Sequence, residues 1–374
     1  HGALAALAYY LLLPFAVTAS RTFQPEPFMT MWIAITLWVA YHWGETHCGR
    51  DGRPWRWSIA TGLLAGWTLL VKVTAVYYLA PTLVVIVLTH WGLRQALRDL
   101  RVWAAAFLTT LIPASYYFFS IGSDSANWFS AWGLSFSYQL LQPRFYVIWL
   151  KFLDNLMDLT MLGLALLSLI FFLKPKDRWL ALGMWIGYIL FGLSFPYPIR
   201  THEYYSLMLV PTVALSLAPG TTLACELINR APRLWRYFTI PVIILAIAYP
   251  SWLAYTGLVG VNYRDEIKGW QKMGAELPPG AIIGLTHDYG TRIGYYGWRL
   301  VRVWPTTADF AMLVQRSGGY SDDFDQMFEE KTKGMDYFLV TLMGELDAQP
   351  MLKSRLYDNY PLTDGDGYLL FDLR

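Results

Sequence analysis

Two short polar links interrupt long apolar stretches and hold residue types that suit anion chemistry. The link SRTFQPE supplies Ser20, Arg21, Gln24 and Glu26, and the link PYPIRTHEYY supplies Arg200, His202, Glu203, Tyr204 and Tyr205. Between them in sequence, Lys72 is the only charge from Trp57 to Leu93. Arg grips phosphate in a bidentate fork, whereas Lys acts as a point charge. A carboxylate beside them can activate a hydroxyl or hold a metal. The set therefore suits a phosphate or pyrophosphate at lipid-headgroup level, with or without a divalent metal held by Glu26, His202 and Glu203. Structural alternatives stand beside this reading. A lone base at a helix end anchors the helix by snorkelling, Glu203 can salt-bridge Arg200, His202 can be a satisfied interfacial histidine, and Tyr204 and Tyr205 can be belt aromatics. Pro196 and Pro198 break the helix before this link and shape it as a loop. The HExxH, Walker and GxSxG patterns are absent, which removes support for cytosolic nucleotide chemistry.

The elements that must position these residues follow from composition. The 374 residues are 55% hydrophobic and 17% aromatic, with 18 Trp, and only 15% are charged. An average soluble domain carries about 25% charged residues. A net charge of +2 excludes a nucleic-acid binder recognised by bulk charge. Mean hydropathy is only +0.33, so a polar part dilutes a membrane part. Residues 1–261 carry 10 acids and 17 bases, net +7, and residues 262–374 carry 17 acids and 12 bases, net −5. The expectation is a polytopic membrane domain over 1–261 and a small α/β domain over 262–374. Cys48 and Cys225 give no disulfide framework. The chain opens at His1 directly on an apolar run with no basic region before it, which reads as a chain whose upstream part is absent.

Uncharged runs at Gly2–Ser20, Pro27–Gly44, Trp57–Val71, Val73–Leu93, Val102–Ser123, Leu159–Leu173, Trp179–Ile199, Tyr204–Cys225 and Tyr237–Tyr263 predict nine spans. As one helix, Trp57–Leu93 would be roughly 55 Å long, against a hydrocarbon core of about 30 Å, so a hairpin turning at Lys72 is expected. Ser125–Pro143 is uncharged but polar and reads as an interfacial or re-entrant segment. Alternate loops then hold twelve bases on one side: Arg50, Arg53 and Arg56; Arg94, Arg98 and Arg101; Lys174, Lys176 and Arg178; Arg230, Arg233 and Arg236. That side is cytoplasmic by the positive-inside rule. Arg21, Lys72, Arg144, Lys151 and Arg200 fall outside, as does everything after Tyr263.

With these residues in place, the chain resembles a known family. An apolar helix, RTFQPEPF, a second helix, a basic loop, ATGLLAGWTLLVKVTAVYYLAP and later RTHEYYSLMLVP are similar to the polytopic GT-C glycosyltransferases of the dolichyl-phosphate-mannose-protein mannosyltransferase and aminoarabinose-transferase type. The likeness covers most of the membrane part. It implies transfer of a sugar from a polyprenyl-phosphate carrier to a protein, lipid or glycan acceptor on the extracytoplasmic face of a plasma (inner) membrane. It places Glu26 at the second acidic position of the outer loops as the catalytic candidate, or as a substrate or metal contact. Lys72 and Arg200 fall near the carrier phosphate, and His202 and Glu203 at the loop bordering the site. The family's first outer loop carries an Asp or Asp-Glu pair for which this chain offers no counterpart, Asp124 being a poor substitute. A transporter or lipid flippase is the alternative, against which stand the lack of a repeated half and the clustering of charges at one face. A non-catalytic anchor for the outer domain is the third reading.

In residues 262–374, Ala281–Thr286, Arg299–Trp304, Asp336–Leu342 and Tyr368–Leu373 read as strands. Ala308–Gln315 and Phe324–Lys331 read as helices, with Asp309 and Asp322 or Asp323 near their starts, giving a layered α/β sheet. The turn THDYGTRIGYYGW places His287 and Asp288 after a strand, where ligands bind in open α/β sheets, with Tyr289, Tyr295, Tyr296 and Trp298 available to stack on sugar faces. A Gly-punctuated packing turn is the alternative, and GxGxxG spacing is absent. The acidic run Ser321–Glu330 reads as a solvated helix face.

Overall fold

A computed structural model describes residues 1–22, 24–47, 54–120, 134–172, 174–260, 262–317 and 323–374. It divides into two compact units, His1–Gly260 and Val261–Arg374. The chain is mostly helical, with several apolar helices and one small sheet.

The first unit contains α1 (Gly2–Leu12), α2 (Pro14–Ala19), α3 (Pro25–His47), α4 (Pro54–Val71), α5 (Val76–Trp91), α6 (Leu93–Ala96) and α7 (Leu100–Ser120). These are followed by α8 (Pro143–Met157), α9 (Leu159–Ser168), α10 (Pro175–Ser194), α11 (Leu209–Arg230) and α12 (Arg233–Gly260). Among the described residues, four helical stretches are long and apolar enough to cross a membrane: Val73–Trp91, Leu100–Phe119, Glu203–Arg230 and one within Tyr237–Glu276. They become five if α8 and α9, bent by 89° at Asp158, make one broken span. The nine spans read from uncharged runs are therefore not confirmed, because a charge-free run need not be one straight helix. Gly2–Ser20 breaks at Leu13, which is extended ahead of Pro14, and the helix from Leu159 lasts only 10 residues. The expected break at Lys72 is present. Helix α4 ends at Val71, Lys72 is extended (φ −160°, ψ 121°), and a 3-10 turn, Val73–Ala75, leads into α5.

Lipid is the natural solvent for the outer surface of this unit. Phe118 and Phe119 are 83% and 82% exposed, and Ile240, Val242, Ile244 and Leu245 on α12 are likewise exposed, a surface that water would not tolerate. The interior is close-packed instead. Gly187 of α10 meets the backbone of Tyr77 and Tyr78 on α5, and a Cβ there would lie 2.8 Å from the Tyr77 carbonyl oxygen. Buried hydroxyls join helices where apolar contact alone would not fix register: Thr36 and Thr68 lie 3.0 Å apart, and Trp185 Nε1 donates to Ser216 Oγ at 3.1 Å. At the base-rich end, Asp99 accepts from Arg101 Nε and from Trp91 Nε1. Those bonds, the one from Arg101 foremost, hold its carboxyl down to about 2.

The second unit begins with α13 (Arg264–Glu276) and contains a five-stranded mixed sheet. Its strands are β1 (Ile282–Leu285), β2 (Val301–Val303), β3 (Tyr337–Val340), β4 (Leu362–Gly365) and β5 (Tyr368–Asp372), in the order β2-β1-β3-β5-β4. Strand β1 runs parallel to β2 and β3, with Ile282 opposite Val301 and Tyr337, while β5 is antiparallel to β3 and β4. The period-2 alternation of a strand explains the layering. Ile282, Tyr337, Leu339 and Leu370 pack with Trp270, Met273 and Leu277, while Ile283, Phe338, Val340 and Phe371 pack with Trp304, Phe328, Leu352 and Leu356. Helices thus cover both faces, with α14 (Thr291–Tyr296) linking β1 to β2, α15 (Thr307–Ser317) and α16 (Phe324–Thr332) linking β2 to β3, and α17 (Met343–Asp347) and α18 (Pro350–Asn359) leading to β4. The four strands and two helices read from the sequence are present. Strand β4 was not anticipated, because LTDG is an exposed edge segment without an apolar face. Of the acidic run, Ser321 and Asp322 lie outside the described residues. Asp323 caps α16 by accepting from the Gln326 N–H at 3.1 Å; Met327 and Phe328 are buried while Asp325, Glu329 and Glu330 are exposed, so the acidic residues form one solvated face of the helix.

Candidate active site

The first unit places the polar links around Lys72. Glu26 lies in the first turn of α3, after Pro25, where a carboxylate complements the helix N-terminus. It has no exposed surface, and its Oε1 pairs with Lys72 Nζ. Its Oε2 is buried without a hydrogen-bond partner. The Lys72 ammonium also sits over the Tyr205 ring, 4.8 Å from its centroid, and 6.0 Å from that of Tyr204. Its side chain keeps 22% of its surface exposed. One carboxylate and two aromatic faces therefore hold a cation that still reaches solvent, a geometry that aims positive charge at an incoming anion.

The HEYY turn is fixed from behind. Residues Glu203–Ser206 form a 3-10 turn. Ser206 Oγ lies 2.9 Å from the Tyr188 hydroxyl of α10, which accepts from Trp149 Nε1 of α8 at 3.1 Å. Tyr205 packs on Phe191, ring centroids 5.6 Å apart. Gly192 lets α10 approach Trp149, since a Cβ there would overlap the indole ring. His202 lies 5.5 and 5.9 Å from the Tyr204 and Tyr205 rings, and Thr201 Oγ1 is 2.8 Å from its Nδ1. Burial pushes its imidazole below the ordinary histidine value, which favours the neutral ring.

Arg200 departs from the pairing considered for it. Its Nε donates to Gln139 Oε1 at 3.2 Å, and its guanidinium lies 5.4 Å from the Tyr197 ring centroid, while Glu203 is exposed. Gln139 is a buried partner that sequence reasoning missed; its signal was the polarity of the uncharged segment Ser125–Pro143. Of that segment, residues 125–133 lie outside the described residues, as does Asp124, and Leu134–Leu141 form a 3-10 helix. Arg21 and Gln24 are exposed in the link between α2 and α3. Among the described residues, no group of three or more His, Cys, Asp or Glu is arranged to hold a metal ion.

Residues 1–118 match the dolichyl-phosphate-mannose-protein mannosyltransferase family. That match carries the likeness to GT-C-type glycosyltransferases read from the sequence, and it spans Arg21, Gln24, Glu26 and Lys72. Arg200, His202, Glu203, Tyr204 and Tyr205 lie beyond it. No curated protein matches the chain. The mannosyltransferase match and the apolar helices together support an integral membrane glycosyltransferase.

In the second unit, His287 and Asp288 follow β1 in the 3-10 turn His287–Gly290. Asp288 (φ 47°) and Tyr289 (φ 56°) are left-handed, a conformation that costs about 1–3 kcal/mol per non-glycine residue and gathers at ligand sites. Asp288 Oδ2 accepts from Arg292 Nε at 2.6 Å. Tyr289, Tyr295 and Trp298 are exposed.

Proposed function

We propose that the first unit transfers a sugar from a polyprenyl-phosphate carrier to a protein, lipid or glycan acceptor on the extracytoplasmic face of the plasma (inner) membrane. The supporting observation is the convergence of Glu26, Lys72, Tyr204 and Tyr205, which are far apart in sequence, on one partly exposed ammonium. In this reading the acceptor oxygen attacks the anomeric carbon, and the bond from that carbon to the carrier-phosphate oxygen breaks. The phosphate leaves with the electron pair, Lys72 stabilises the charge that develops there, and the proton of the acceptor hydroxyl passes to an oxygen of the departing phosphate. Arg200 contacts the same phosphate from the Gln139 side, and His202, Glu203, Tyr204 and Tyr205 border the sugar. Arg21 and Gln24 lie at the headgroup edge. Glu26, wholly enclosed, is assigned to hold Lys72 rather than to take the acceptor proton.

Lys72→Ala lowers transfer from a polyprenyl-phosphate sugar by at least about 100-fold and Arg200→Ala by at least about tenfold, as expected for lost charge-assisted contacts to phosphate. Unchanged turnover in both variants sinks the phosphate assignment. Orientation rests on the base-rich loops, and a second experiment checks it: a reporter fused after Arg374 reads out on the extracytoplasmic side. A cytoplasmic readout would put every proposed residue on the wrong face.

A further inference from the structure

The second unit contains a cleft of about 360 Å³ whose walls include Trp270, Lys272, Glu276, His287, Arg292 and Asp366. That volume falls within the roughly 300–1,000 Å³ of small-molecule sites. Its place in the sheet is also that of a ligand site. Neighbouring parallel strands β1 and β3 send their continuations in opposite directions, β1 toward β2 and β3 toward β4 and β5. Open sheets bind ligands outside the carboxyl ends of strands at such a reversal. His287, two residues past the end of β1, and Thr341, the first residue past the end of β3, both line the cleft and bond to each other.

The chemistry of the walls selects the ligand class. Lys272 Nζ lies 3.0 Å from Asp366 Oδ2 and 3.9 Å from Glu276 Oε1, and Arg292 pairs with Asp288 and with Glu266. Each cation is already neutralised by carboxylates, so a free anion gains little, and each carboxylate is already met by a cation, so a free cation gains little. A hydroxyl gains from both, because it donates to a carboxylate oxygen while accepting from the neighbouring ammonium or guanidinium. Thr341 Oγ1 accepts from the His287 backbone N–H at 3.0 Å and lies 2.9 Å from Nδ1. With that hydroxyl's proton assigned to Nδ1, His287 keeps a proton on Nε2 and adds one more donor. Trp270, in edge contact with the His287 ring at 5.7 Å, and Met273 supply an apolar wall. Alternating donors and acceptors beside an apolar wall fit a ring with several hydroxyls and apolar C–H faces.

We propose that this cleft binds a neutral polyhydroxylated ligand, a pyranose of a glycan. The inference does not rest on the transfer activity proposed for the first unit, because it is read by binding without turnover. The test is saturation-transfer NMR on the full chain in detergent, with the methyl glycosides of mannose, glucose and galactose as probes and with spermidine and inorganic phosphate as charged controls. At least one glycoside binds, and its Kd rises about tenfold in Asp366→Asn and in His287→Ala, the size of one lost strong hydrogen bond. Asp366→Asn is the safer variant, since Asp366 is exposed in the β4–β5 turn and Asn suits that turn. Binding of none of the glycosides, equal affinity in wild type and Asp366→Asn, or binding of spermidine or phosphate alone overturns the proposal.

Discussion

Replacing Glu26 by Gln lowers transfer about 100-fold, and the loss vanishes as a separate effect once Lys72 is gone. Glu26 has no exposed surface, and one of its oxygens pairs with Lys72, so it influences a bound phosphate through the ammonium it holds. A misplacement of about 1 Å in a group that stabilises a transition state costs about 100-fold. Gln keeps the shape of the side chain but not the charge, leaving Lys72 to the rings of Tyr204 and Tyr205. Groups that act as one unit are not additive, so Glu26→Gln/Lys72→Ala is no slower than Lys72→Ala alone. Glu26→Asp, with a shorter reach, restores the charge and recovers part of the rate. The measurement is initial-rate transfer for the wild type and the four variants with one polyprenyl-phosphate sugar donor. If the double variant shows the product of the two single losses, Glu26 acts on the reaction independently of Lys72.

Legibility in the sequence differed between pieces of this site. The break at Lys72 was readable because one helix over Trp57–Leu93 would be far longer than the hydrocarbon core is thick, and Lys72 is the one charge at which it can turn. The HEYY link was readable because prolines precede it and its polar residues follow an apolar run. Pairings were not readable. Glu203 is three residues from Arg200, which made it the obvious partner, yet Arg200 bonds to Gln139 and Lys72 pairs with Glu26, contacts that span 61 and 46 residues. Only packing of the intervening helices brings such residues together, and hydropathy alone does not encode that packing.

The same distinction holds for the fold. Strands β1, β3 and β5 announce themselves because both of their faces are buried and their residues are nearly all apolar. Strand β4 lies at the edge and shows mostly exposed side chains, so its pattern is that of a loop until β5 pairs with it. In the first unit, the uncharged runs locate apolar material but do not report where a helix bends. Pro14 ends α1 early, and Asp158, with positive φ, turns α9 away from α8 while its carboxylate caps the new helix at Thr160. Span counting from charge alone is blind to both.

The backbone of α13 sets a second large effect, one whose sign depends on a single position. Helix propensity predicts that Gly274→Ala stabilises by about 0.5–1 kcal/mol, since Gly is a poor helix residue. Packing predicts the opposite. A Cβ at Gly274 would overlap the Gly297 carbonyl oxygen and lie 2.5 Å from the Gly297 Cα, and both atoms are backbone, so no side chain can rotate away. Overpacking of this kind costs about 1–3 kcal/mol, enough to outweigh the propensity gain. A Cβ at Gly269, on the same helix, would have nothing within 4 Å, so Gly269→Ala shows the propensity gain alone. Hydrogen exchange read by mass spectrometry on the full chain separates the two variants. Peptides covering Arg264–Arg299 exchange faster in Gly274→Ala and no faster in Gly269→Ala, with membrane-unit peptides unchanged in both. Equal protection in the two variants would mean that α13 does not rest against Gly297, and would remove the Trp270 wall from the cleft beside it.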